Sequence, residues 1–187
     1  YSKLGPSLES IQKAKPPLGV YACIGNHEIY RGREEAELIY EKYGIPLLSN
    51  SGMTLSHKGE SFWLGGADDP ARLFRRRGKF YSETVKAALR EKPEDIPTSI
   101  LLCHRPMGFN AAIENNVTLT LSGHTHGAQM ALGDRSLLEP FMPKKYLKGH
   151  YEENGSHLYT SSGLGHWLPF RMNCPCEAPL IRLKKVN

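Results

Sequence analysis

Long apolar runs are missing from this 187-residue sequence. A membrane-spanning helix needs about 20 consecutive apolar residues, and no segment supplies them. The opening residues, Tyr-Ser-Lys-Leu-Gly-Pro, lack both an initiator Met and the apolar centre of a signal peptide. The expectation is a chain that starts at a cut, a processing site or an incomplete gene model, with any targeting segment or anchor upstream. Cysteine is scarce as well, with four in the chain, and a domain of this length needs no disulfide staples. Cys23 and Cys103 fall inside apolar runs and read as small core residues. Cys174 and Cys176 flank Pro175, a spacing that suits a metal, an oxidation site or an ordinary loop. Internal repeats and low-complexity segments are absent, and no specific nucleic-acid module is recognisable.

What remains is the composition of a globular domain, 40% hydrophobic and 23% charged, large enough for one substantial core. A single domain over residues 1–187 is expected. The formal charge of +5 is concentrated around Arg72, Arg75, Arg76, Arg77 and Lys79, interleaved with Phe74, Phe80 and Tyr81. Such a cluster is either a solvated loop or a surface for anionic substrates and lipid headgroups, so a membrane surface is one candidate partner.

Apolar spacing predicts helices over residues 7–14, 34–43 and 109–114, and a helix capped by Ser82 that runs through Val85, Ala88 and Leu89 to Glu91. Prolines 16 and 17 stop the first, and Gly44 stops the second. Strands are expected at 18–24, 45–48, 53–57, 61–64, 99–103, 118–121, 130–132, 158–160 and 180–186, the third and fourth forming a hairpin across Lys58, Gly59 and Glu60. Strands alternating with helices imply an α/β architecture with a mixed sheet.

Three polar clusters follow three of these strands. Gly25-Asn26-His27-Glu28 comes after LGVYACI, His104-Arg105-Pro106 after SILLC, and Gly123-His124-Thr125-His126-Gly127 after the strand ending at Leu121. Open α/β sheets bind ligands beyond the carboxyl ends of their strands, so clusters far apart in sequence can converge on one site. Imidazoles and an amide oxygen suit borderline metal ions, and neighbouring glycines allow close approach. Read alone, each cluster also fits a turn or a hydrogen-bonded structural histidine. His150, His157 and His166 lie in the C-terminal part, where solvent-facing or hydrogen-bonding roles are expected in loops.

The succession G-N-H-E, L-L-C-H-R-P and L-S-G-H-T-H-G-A-Q resembles the last three signature blocks of the calcineurin-like metallophosphoesterase superfamily. Gly65 to Pro70, Ser162 to Gly165, Arg171 and Glu177 are similar to its bacterial YkuE/YaeI-type phosphodiesterase branch. The resemblance implies the mixed-sheet α-β-β-α sandwich of that superfamily with its N-terminal part missing. It implies metal-dependent hydrolysis of phosphoesters, phosphodiesters in preference, by hydroxide activated between two divalent transition-metal ions of manganese, iron or zinc. Asn26, His104 and His124 would ligate the second ion and His126 the first, while His27 would act as a non-ligand acid oriented by a carboxylate, for which Glu28 is a stand-in. Arg105 and Arg171 would contact phosphate or else form structural ion pairs. The superfamily's upstream D-x-H and G-D-x-x-D motifs do not occur here, and Asp68 and Asp69 come too late in the order to replace them. This polypeptide alone is therefore expected to hold two ions poorly. Two further readings stay open: a non-catalytic binding domain that keeps the fold, and a protein phosphatase. Location, membrane-associated or cytoplasmic, follows from resemblance only.

Overall fold

A computed structural model describes residues 4–71, 77–141, 146–166 and 168–184. Its centre is a six-stranded mixed sheet in the order β3-β4-β5-β6-β10-β9. The strands are β3 (Ser51–His57), β4 (Glu60–Ala67), β5 (Ser99–Cys103), β6 (Leu119–Ser122), β9 (Gly149–Glu153) and β10 (Ser156–Thr160). Strands β4, β5, β6 and β10 are parallel neighbours, and β3 and β9 close the two edges antiparallel. The β3–β4 hairpin turns through two left-handed residues, Lys58 at φ 52° and Gly59 at φ 81°, which matches the twist of the flanking strands.

One face of the sheet is covered by α4 (Arg77–Leu89) and α5 (Phe109–Glu114). Tyr81, Val85 and Phe109 from these helices bury against Leu101, Cys103 and Leu158 of the strands. Leu64, Ile100 and Leu119 face the other way, packing with Leu48 and Tyr21. That second layer is a parallel pair, β1 (Ala22–Cys23) and β2 (Leu47–Leu48). Helices α1 (Leu4–Lys13) and α3 (Arg33–Lys42) supply Leu8 and Tyr40 to a small core around Ile45. Helix, sheet, smaller sheet and helix thus follow one another, the mixed α/β layering expected from sequence. A short antiparallel pair, β7 (Ala131–Leu132) and β8 (Arg135–Ser136), stands apart from both sheets. A cavity of about 410 Å³ opens between β1, the ends of β5 and β6, and the tail residues Pro179 and Ile181.

Several boundaries differ from expectation. The strands foreseen at 18–24 and 45–48 shrink to the two-residue β1 and β2, which among the described residues pair only with each other. Helix α4 starts at Arg77, so Ser82 lies inside it and caps nothing; Tyr81, Thr84, Val85 and Ala88 form one buried stripe that carries the helix back before the serine. Residues 180–184 form no strand, since Leu180 points to solvent at 93% exposure while Ile181 packs on the sheet, and residues 185 and 186 lie outside those described. His150 and His157 stand on strands rather than loops. Within the basic cluster, Arg72, Phe74, Arg75 and Arg76 lie outside the described residues, whereas Lys79 pairs with Glu83 at 3.6 Å on the surface of α4. No described helix is long and apolar enough to cross a membrane.

Candidate metal centre

The chain leaves β1 into Gly25 and the short helix α2 (Asn26–Arg31), leaves β5 into His104, and leaves β6 into a turn carrying His124 and His126. These exits bring three side chains together. Asn26 Oδ1 lies 2.8 Å from His104 Nε2 and 3.0 Å from His124 Nδ1, and the two ring nitrogens are 3.2 Å apart. The imidazole planes stand 71° to each other.

Local structure explains the convergence. A Cβ on Gly25 would come within 3.1 Å of the His104 ring and 2.9 Å of Glu28 Oε2, so glycine is what lets His104 lie against the α2 entrance. The backbone N–H of Gly123 donates to His104 O at 3.0 Å, and Ser122 Oγ donates to Cys103 O at 2.6 Å, fastening the β6 exit to the β5 exit. His124 adopts φ 66°, in the left-handed region, and Thr125 anchors the turn through Oγ1 to Leu147 O at 2.6 Å.

His126 is held differently. Its Nδ1 lies 3.2 Å from the carbonyl of Gly165 and 3.4 Å from Arg171 Nη2. A carbonyl only accepts, so Nδ1 bears the hydrogen, Arg171 is a neighbour rather than a donor to the ring, and the Nε2 lone pair is left free. Arg171 in turn donates to the carbonyls of Cys174 (3.0 Å), Ser162 (2.9 Å) and Gly165. The backbone from His126 to Gln129 runs through four successive positive φ values of 52°, 61°, 52° and 58°. Gln129, fully buried, pins this stretch: its Nε2 donates to Leu168 O at 3.0 Å and also to Phe170 O, and its Oε1 accepts from Leu168 N at 2.9 Å. Glu177 accepts from Ser162 N at 2.7 Å, closing the same loop. The sequence signal for Gln129 is its place directly after the G-H-T-H-G-A block.

His27 opens to solvent at the start of α2, edge-on to Tyr30 with ring centroids 6.3 Å apart. Glu28 does not turn toward it: the carboxylate accepts from Gly25 N at 3.0 Å, closing the helix entrance. Arg105 donates from Nε to Asp69 Oδ2 at 2.8 Å and from Nη2 to Ala71 O at 3.1 Å, a buried ion pair of the framework. Asp68 is likewise engaged, by Arg33 at 2.8 Å and Asn50 at 3.1 Å. Arg171 reaches backbone carbonyls rather than open solvent, so both arginines brace the walls of the site.

Electrostatics favour neutral imidazoles. Burial first, then the Arg105 guanidinium, pushes His104 and His124 down to about 4. His126 is also lowered, chiefly by burial. The same histidines and His27 oppose one another's protonation, which is the electrostatic sign of a shared site. Burial pushes the thiol of Cys23 up to about 12 and that of Cys103 up as well, so both stay protonated and offer no thiolate ligand.

The donor set fits a divalent ion. Ligands about 2.0–2.1 Å from one ion and near-tetrahedral or square to each other are about 2.9–3.4 Å apart, which is the spacing found among Asn26, His104 and His124. In the tautomers that carry their hydrogens on the outward nitrogens, both rings and the amide oxygen turn lone pairs toward one point, which suits a cation. Among the described residues no group of three His, Cys, Asp or Glu side chains is gathered for an ion, because the third donor here is an amide.

Residues 3–128 match the calcineurin-like phosphoesterase family. The chain belongs to that family, a class of metallophosphoesterases. It is 37% identical to the metallophosphoesterase YkuE of Bacillus subtilis, over 95% of this chain and 60% of that protein. To the Escherichia coli phosphodiesterase YaeI it is 30% identical, over 87% of this chain and 57% of that one. Among solved structures, a Thermus thermophilus sulfate thiohydrolase shares the fold with a TM-score of 0.51 and 16% identity, over 75% of this chain and 27% of that protein. The chain spans about half the length of the curated relatives it matches.

Proposed function

We propose that the protein hydrolyses phosphoesters, phosphodiesters in preference to monoesters, with divalent metal ions held in this cleft. The observation that carries the reading is the mutual approach of Asn26 Oδ1, His104 Nε2 and His124 Nδ1 within 3.2 Å at the ends of separate elements. Relatives named phosphodiesterase and metallophosphoesterase support the same chemistry.

Asn26, His104 and His124 would hold one ion of the manganese, iron or zinc class, and His126 would offer Nε2 to a second. When bound, such ions polarise phosphoryl oxygens and lower the pKa of water. The chain's own residues do the rest. Neutral His104 and His124 bring donors without charge, so the ions keep their full pull on an anionic substrate. His27, free of the ligand cluster and open to solvent, donates a proton to the departing alkoxide. Arg105 and Arg171, which donate to Asp69 and to backbone carbonyls respectively, act on the substrate through their positive field.

The test is an assay of the full-length protein on a nitrophenyl phosphodiester, with bound manganese, iron and zinc measured in parallel. Hydrolysis that disappears with chelator and returns with one of these ions is the expected result. Ions bound without any turnover would instead favour the non-catalytic binding domain. Turnover indifferent to chelator would overturn the metal-dependent reading.

A further inference from the structure

Away from the cleft, the edge hairpin carries another pair of imidazoles. Strand alternation turns Tyr151 and Leu158 into the helix-side core and leaves His150, Glu152 and His157 on the opposite side of the sheet. The register sets His157 opposite Glu152 and His150 opposite Tyr159, so the histidines are diagonal neighbours on adjacent strands. Their nitrogens meet, with His150 Nε2 3.0 Å from His157 Nδ1 and the ring planes within 17°. Glu152 Oε2 lies 3.8 Å from the same His157 nitrogen.

We propose that His150 and His157, backed by Glu152, form a surface site for a divalent transition-metal ion of the zinc, nickel or copper class. The pair as it stands shares one proton between two nitrogens. A borderline ion takes both lone pairs once the bridging hydrogen has moved to the other nitrogen of its own ring, after a small rotation of the exposed rings. The separation is already that of adjacent ligands about 2.0–2.1 Å from a common ion. Glu152 is too distant to complete a ready three-residue cage, and none exists among the described residues. The ion therefore keeps water in its other positions, and Glu152 either swings in or holds one of those waters. Placement adds a structural consequence. Strand β10 is paired on both sides while β9 is an edge, so an ion bridging them clamps the free edge of the sheet onto its fixed neighbour. Nothing in this proposal depends on the cleft being catalytic.

The experiment uses tag-free, full-length protein whose cleft has first been loaded with manganese, titrated with zinc or nickel alone by calorimetry. One further equivalent should bind and raise the Tm. The double variant His150→Ala/His157→Ala should lose that equivalent and the Tm rise while keeping its cleft metal and hydrolytic rate. Glu152→Gln should weaken the added ion about tenfold. As a second readout, copper should broaden the amide NMR signals of residues 149–160 in the native protein. An unchanged number of equivalents and affinity in the double variant overturns the proposal, as does copper broadening that spares β9 and β10.

Discussion

Two halves of the candidate centre are built on different supports. Asn26, His104 and His124 arrive on exits from β1, β5 and β6 and meet within 3.2 Å. His126 sits two residues beyond His124, yet its fixed partner is the carbonyl of Gly165, kept in place by Arg171. The first half is thus a product of the sheet, the second a product of the tail. Damage to the tail should accordingly spare the first, and removal of a strand-end donor should empty the first without loosening the tail.

The largest expected effect is on turnover. His27→Gln, in full-length protein, should lower turnover by about 10²–10⁴-fold while metal content by emission spectroscopy stays constant. Metal lost along with turnover would place His27 among the ligands instead. His104→Ala should weaken the ion of the strand-end cluster by about 100-fold, at the upper end of what even outer-shell changes cost a metal site. Calorimetry on the variant reads this directly, and an unaltered affinity would sever the cluster from metal binding. Arg171→Gln should weaken only the ion at His126, by about tenfold, leaving the strand-end ion in place; cobalt absorption spectra separate the two positions. Equal loss at both positions would erase the distinction.

The smallest effect is in pH. Folded His104 and His124 sit near 4, below the ordinary 6.5, so their protonation favours the unfolded chain. Their contribution to stability is complete above pH 6.5 and is lost as pH falls toward 4. Urea midpoints of the metal-free protein should be level above that window and fall within it, and His104→Ala should flatten the fall. A midpoint that rises on acidification would mean that these imidazoles gain a proton on folding.

Parts of this arrangement were legible in sequence for physical reasons. The run SILLC became β5 at residues 99–103, and FNAAIE became α5, because each is continuous, buried and bounded by residues of another character. LGVYACI is equally apolar but yields two ladder residues, since the length of a strand depends on a neighbour that a one-dimensional pattern does not display. Ligand candidates were readable because each follows an apolar strand within a few residues. Glu28 differs from expectation: its spacing three residues after Gly25 marks a helix entrance, and that is where its carboxylate goes. Arg171 and Gln129 could not be read as braces, since their partners are backbone carbonyls, which carry no residue identity.

The left-handed stretch from His126 to Gln129 has a mechanical meaning. Each non-glycine residue held in that conformation costs about 1–2 kcal/mol, so the segment resembles a wound coil, and the Gln129 amide is its catch. The catch engages Leu168, 39 residues further along the chain. Unfastening it would let the coil relax and carry the His126 imidazole away from its aim, so the distant loop sets the direction in which that ring reaches.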